Sequence, residues 1–246
     1  DVLFYVTDGS LFISGAQKNI LIVQVPQKNM YHTDAYTKFK LGFWKTQLVY
    51  SGFVKKYIDL WWGTNAVVFP PAIDIPRVKS NQKGNIILTV GRFFPYPHTK
   101  KQDVLIQAFK MMIKKGLLDW KLIIAGGVDR DGEAYLSEIK KLAKNANIEI
   151  LTNIPFGKLC ELYASAKIYW HAAGYEGDVN NHPERAEHFG ITTLEAMSYN
   201  TVPLVFPAGG QPEIVEDKIN GLFWQTKNEL CEKTINLIND QELWKK

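Results

Sequence analysis

From Gly84 onward, short apolar runs alternate with amphipathic segments, and this alternation constrains the fold more than any other feature of the chain. Residues 86–90 read as a buried strand. Residues 102–115 read as a helix with Val104, Leu105, Ala108, Phe109, Met112 and Ile113 on one face. The pattern then repeats. Strands are expected at 121–125, 148–151, 168–171 and 202–206, and helices at 133–145, 158–165 and 193–199, with a short one at 213–216. Strands built of consecutive apolar residues need cover on both faces, which a parallel sheet flanked by helices supplies. The fold class is α/β.

The pattern ahead of Gly84 differs. Strands are expected at 2–6, 20–25 and 66–69, with a helix at 53–60, and Pro70-Pro71 ends the last strand. Residues 73–80 form a polar, Pro-containing connector. The expected division is a partial domain at 1–80 and a second domain at 81–246.

Composition narrows the partners. The 246 residues are 46% hydrophobic and 22% charged, ordinary for a globular chain. A net charge of +4 with dispersed basic residues argues against a nucleic-acid surface; it suits anionic small molecules or loose contact with an anionic membrane. Cys160 and Cys231 lie far apart in helical patterns and read as free thiols of a reducing compartment. No apolar run approaches the ~18 residues of a membrane span. Asp1 to Val6 reads as a strand under way rather than a signal peptide. A cytoplasmic location, peripheral to a membrane or not, is expected.

One segment concentrates the chemistry: Glu187-His188-Phe189-Gly190-Ile191-Thr192-Thr193-Leu194-Glu195. Gly190 sits where a helix should begin. The unpaired N–H groups and positive dipole end of a helix start suit an anion such as a diphosphate. Glu187 would precede that helix and Glu195 would lie one turn inside it. Thr192 to Glu195 also reads as a capping box, so Glu195 has a second, purely structural reading. Arg92 follows the strand at 86–90. Lys101 sits in Thr99-Lys100-Lys101-Gln102, another apparent capping box, where a cation has the wrong sign for the helix dipole. A bound diphosphate would offset that conflict, although two solvated surface cations would look the same in sequence. His171 ends a strand nearby and reads as a structural histidine more readily than a catalytic one. Asp178, His182, Glu184, Glu187 and His188 match no metal-ligand spacing and read as a polar loop. Tyr5, Asp8-Gly9-Ser10 and Gln24-Val25-Pro26 follow strands, either lining a cleft or forming ordinary turns.

These residues carry a resemblance. Glu187 and Glu195 match the E-x7-E motif of retaining glycosyltransferases of the GT-B fold, family 4 type. Val90-Gly91-Arg92-Phe93, the stretch Lys100 to Phe109, Glu195-Ala196-Met197 and Gly209 to Val215 are similar to that family's other landmarks, in the same order. The close match runs from about Asn85 to Trp224, and a weaker one from Asp1 to Asp74. The resemblance implies a Rossmann-like donor domain plus part of an N-terminal Rossmann-like domain, the family normally having further strands and a Gly-rich loop before this point. It implies transfer of a hexosyl group from a nucleoside-diphosphate sugar to a glycan, lipid-linked or small-molecule acceptor, without a metal or other cofactor. Arg92, Lys101 and Glu187 are then the catalytic set. Phe189, Gly190, Ile191, Thr192, Glu195 and Ile154 bind the donor, with Glu195 on the ribose and Ile154 near the base. A nucleotide-sugar-binding protein without catalysis is the alternative. A nicotinamide dehydrogenase is disfavoured, because no G-x-G-x-x-G follows a strand.

Overall fold

A computed structural model describes residues 1–7, 9–28, 34–73, 83–95 and 99–240. The expected connector at 73–80 and its boundary lie almost entirely outside these residues, as does Asp8. The first half contains β1 (Val2–Thr7), β2 (Lys18–Val23), α1 (Ala35–Leu41), β3 (Thr46–Val49), α2 (Gly52–Trp62) and β4 (Val67–Val68). Its strands are all parallel in the order β1-β2-β3-β4. Each strand adds on the same side of the last, so right-handed connections deliver their helices to one face. That face is the core: Leu21, Val23 and Val49 pack against Val54 and Ile58 of α2 and against Trp44, all fully buried. On the opposite face Val2, Phe4 and Val6 are exposed.

The second half runs β5 (Gly84–Val90), α3 (Gln102–Lys114), β6 (Lys121–Gly126), α4 (Glu133–Ala143), β7 (Ile148–Thr152), α5 (Phe156–Ser165), β8 (Ala166–His171), α6 (Ile191–Ser198), β9 (Val202–Val205), β10 (Leu222–Phe223) and α7 (Lys227–Asn239). The six parallel strands stand in the order β10-β9-β8-β5-β6-β7. Winding starts at β5, proceeds through β6 to β7, then returns to β8 on the other side of β5. This reversal leaves helices on both faces. Ile87, Leu122 and Ile124 pack under α3, α4 and α7; Leu88, Ile123 and Ala125 pack under α5 and α6. The consecutive apolar residues of β5 and β6 follow directly from that double burial. Ligands of such sheets gather at the carboxyl ends of the strands where the order reverses, here between β5 and β8.

Three local expectations are corrected. Thr99 caps no helix: α3 begins at Gln102, its N-cap is Lys101 in a left-handed conformation (φ 57°), and Thr99 Oγ1 instead accepts from the Lys101 N–H. Thr192 lies inside α6, which starts at Ile191 behind the N-cap Gly190, so Glu195 has no capping role. The short helix expected at 213–216 is a single 3-10 turn, Gln211–Glu213, with Pro212 in its first turn.

The halves meet at the N-terminus of α2. Ser51 caps this helix by accepting from Val54 N–H, and its hydroxyl donates to the His188 carbonyl at 2.5 Å. Glu213, from the second half, accepts from the N–H groups of Gly52 at 2.8 Å and Phe53 at 2.7 Å. A carboxylate on the unpaired donors of a helix start is favourable in both hydrogen bonding and dipole sign. Glu213→Ala should lower unfolding free energy by about 1–2 kcal/mol, the usual loss at a helix cap, and Glu213→Gln by less. Urea denaturation measures both; an unchanged midpoint for the alanine variant would show that the contact contributes nothing.

Candidate functional site

A cavity of about 670 Å³ opens at the switch point between β5 and β8. Gly91, Arg92 and Lys100 reach it from the β5–α3 connection, and Glu187 to Thr192 from the segment leading into α6. Ile154 enters from the turn after β7, and Gln24, Val25 and Tyr50 close it from the first half. Close backbone approach shapes the floor: a Cβ on Gly126 would stand 2.0 Å from the Gly91 carbonyl oxygen. Gly190 has φ 112°, and a Cβ there would meet Ile214 at 2.9 Å and Gln211 at 3.0 Å. Only glycine serves at these positions. Behind the helix start, Gln211 Nε2 donates to Thr193 Oγ1 at 3.0 Å, and the Tyr169 hydroxyl lies 2.7 Å from Thr192 Oγ1.

Glu187 is the centre of the arrangement. Its Oε2 accepts from Lys100 Nζ at 2.8 Å and lies 2.8 Å from His171 Nε2. Burial by itself would raise the carboxyl pKa. The Lys100 charge, together with the His171 hydrogen bond and charge, outweighs burial and holds it well below the ordinary carboxylate range. Glu195 shifts the other way. Burial raises its pKa, and a hydrogen bond from the Tyr163 hydroxyl to Oε2 at 2.8 Å only partly offsets this. Both glutamates are thus held by Oε2, and neither Oε1 has a partner among the described residues.

Most of the expected residues converge here: Arg92, Glu187, Phe189, Gly190, Ile191, Thr192 and Ile154 all line the cavity. The Arg92 guanidinium stacks over the Phe94 ring at 4.8 Å. Two expectations change. Lys100, rather than Lys101, enters the cavity, because the left-handed turn at Lys101 commits that residue to the start of α3. Glu195 lies one turn into α6 and is not part of the lining; its neighbour on the same helix face, Ile191, forms the rim. Glu187, for which sequence offered no structural duty, has an ion pair with Lys100 and a hydrogen bond with His171. Sequence reasoning passed over Tyr163; it noted Lys100 only as a neighbour of Lys101, and it read His171 as a structural histidine. Among the described residues no group of three or more His, Cys, Asp or Glu side chains could hold a metal ion, and no helix is long and apolar enough to cross a membrane.

The lowered pKa of Glu187 has a consequence for acid stability. A carboxylate whose folded-state pKa lies below its unfolded value of about 4.5 contributes stability above that value and loses it as pH falls through the folded-state pKa. Glu187→Gln should cost about 1–3 kcal/mol at pH 7, from loss of a charge-assisted bond. Its stability should then approach that of the wild type as pH drops below 4.5. Chemical denaturation from pH 7 to pH 3 tests this; a constant difference across the range would contradict the assignment.

The comparisons with known proteins agree with this geometry. The family described as glycosyl transferases group 1 matches residues 72–246. The human GDP-Man:Man(3)GlcNAc(2)-PP-Dol alpha-1,2-mannosyltransferase is 26% identical over 203 residues, 74% of this chain and 38% of that protein. The chain therefore spans well under half of that relative. Among solved structures, the Anabaena protein HepE in complex with UDP and glucose superposes with a TM-score of 0.68 at 17% identity, covering 92% of this chain and 64% of that one. TarM of S. aureus superposes with a TM-score of 0.72 at 15% identity, covering 94% and 46%. The likeness to these solved structures shows a GT-B type fold, with which the two parallel sheets and the cleft between them accord. With the family matched across its second half, the chain is a member of the glycosyl transferases group 1 family.

Proposed function

We propose that this site binds a nucleoside-diphosphate sugar and supports transfer of its hexosyl group to an acceptor hydroxyl, with release of the nucleoside diphosphate. The observation that carries the reading is the Lys100–Glu187–His171 cluster, set against the N-terminus of α6 and beside Arg92 at the sheet's switch point. The diphosphate takes the N–H groups at the α6 start and the cations Arg92 and Lys100, which also neutralise charge on the departing group. Glu187 Oε1 meets hydroxyls of the sugar. Glu195 lies outside the cavity lining, one turn into α6 behind the rim residue Ile191, and the ribose role that the E-x7-E resemblance implies for it requires the ribose to reach past that rim; Ile154 stands against the base.

Relatives and fold neighbours support this class of donor, since they include a GDP-mannose enzyme and a protein crystallised with UDP. A donor of mannose or glucose type fits both. Retention at the anomeric carbon is what the resemblance to retaining glycosyltransferases implies for the transfer. The acceptor is a glycan, a lipid-linked saccharide or a small molecule. The cluster of cations and helix N–H groups provides for the diphosphate without a metal ion, so nucleoside diphosphate should bind equally well in the presence of a chelator.

Titration of GDP and UDP against variants tests the reading. Lys100→Ala should weaken nucleoside-diphosphate binding about 10–100-fold, the worth of a charge-assisted contact. Lys101→Ala should change it by less than about twofold, as expected of a partly exposed charge outside the site. Glu195→Gln should weaken nucleoside diphosphate about tenfold yet leave inorganic diphosphate, which has no ribose, nearly unaffected. Equal losses for Lys100→Ala and Lys101→Ala would contradict the proposed diphosphate site, and equal losses for both ligands would remove the ribose role of Glu195.

A further inference from the structure

His171 terminates β8 in the middle of the sheet, between neighbours that are almost wholly apolar. Tyr169 and Trp170 before it are fully buried, and Ala172 and Ala173 after it are nearly so. The imidazole itself is 3% exposed. Its Nδ1 is buried and has no hydrogen-bond partner. A polar ring with one unsatisfied nitrogen is a poor filler for such a position, where leucine or phenylalanine would carry no such penalty. The other nitrogen explains its presence. Nε2 lies 2.8 Å from Glu187 Oε2, and an ionised carboxylate only accepts hydrogen bonds, so Nε2 carries the proton.

Two donors converge on the same carboxylate oxygen, and they differ in stiffness. Lys100 reaches it on a long flexible side chain, 31% exposed, from a connection between elements. His171 reaches it from a central strand, pinned in register with Val205 and accepting from Phe206 N–H at 3.0 Å through its backbone carbonyl. Lysine supplies charge, while the strand-borne ring supplies direction. With Oε2 held from both sides, Oε1 is the oxygen that Glu187, a residue of the cavity lining, has left for a ligand.

Resting on the donor reading above, we propose that His171 is a positioning residue: it fixes the Glu187 carboxylate so that Oε1 reads the sugar of the donor rather than its nucleotide. Replacing His171 should then separate two affinities that a merely structural role would move together.

The experiment compares wild type with His171→Leu and His171→Gln by calorimetric titration, using UDP with UDP-glucose and GDP with GDP-mannose, and following whichever pair the wild type binds. His171→Leu should weaken the nucleotide sugar about 10–100-fold, the worth of a hydrogen bond to a charged group, and change nucleoside-diphosphate affinity by less than about twofold. His171→Gln places an N–H donor near the position of Nε2 and should restore most of the lost sugar affinity. Parallel losses for both ligands, or no loss for either, would overturn the positioning role. Should His171→Leu fail to fold, the glutamine variant decides: sugar affinity close to wild type supports the proposal, and loss of both affinities sinks it. If the wild type binds no nucleotide sugar at all, the donor reading itself falls, an outcome distinct from a wild type that binds and a variant that loses both ligands alike.

Discussion

Three pieces of chain that share no local structure meet on one carboxylate. Lys100 comes from the connection after β5, His171 from the end of β8, and Glu187 from the segment before α6. A buried carboxylate is costly unless it is paired and hydrogen-bonded, and here both conditions are met on the same oxygen. The clamp depends on the sheet order. Only because the winding reverses at β5 do the ends of β5 and β8 stand side by side, and only there can a loop from each reach the same point.

The two halves illustrate what winding direction does to a parallel sheet. The second half reverses and buries both faces, so its strands read as continuous apolar runs. The first half advances in one direction and buries one face, leaving Val2, Phe4 and Val6 outward on β1. The cavity uses both: the reversing sheet supplies the cluster and the helix start, and the advancing sheet supplies the opposite wall with Gln24, Val25 and Tyr50.

Much of this was legible in the sequence, for physical reasons that can be named. The strands of the second half announce themselves because double burial demands apolar residues at successive positions. The helix start at Gly190 was visible because a glycine preceded an apolar-periodic segment. What escaped notice was whatever a pattern cannot encode. Helix α1 buries only Leu41, so it shows no periodic stripe. Thr99 and Thr192 mimic capping residues, but the starts of their helices are set by the left-handed backbone at Lys101 and Gly190. That same backbone turn decides between adjacent lysines, a choice spacing alone could not make. His171 looked like an ordinary strand residue because its partner lies 16 positions away, beyond a long loop.

The contact between the halves bears on more than their cohesion. Ser51 grips the carbonyl of His188, the residue immediately after Glu187, while Glu213 holds the start of the same helix two positions further on. The Tyr57 hydroxyl adds a bond to the Val179 carbonyl, and of these contacts between the halves the one from Ser51 falls on a peptide unit adjoining the clamp. The wall of the cleft and the carboxylate are thus tied through one backbone carbonyl, with only the Ser51 hydroxyl between the two halves at that point. In such a linkage the placement of the cavity's far wall and the placement of the carboxylate are set by the same contact, so cavity shape and carboxylate alignment are fixed together.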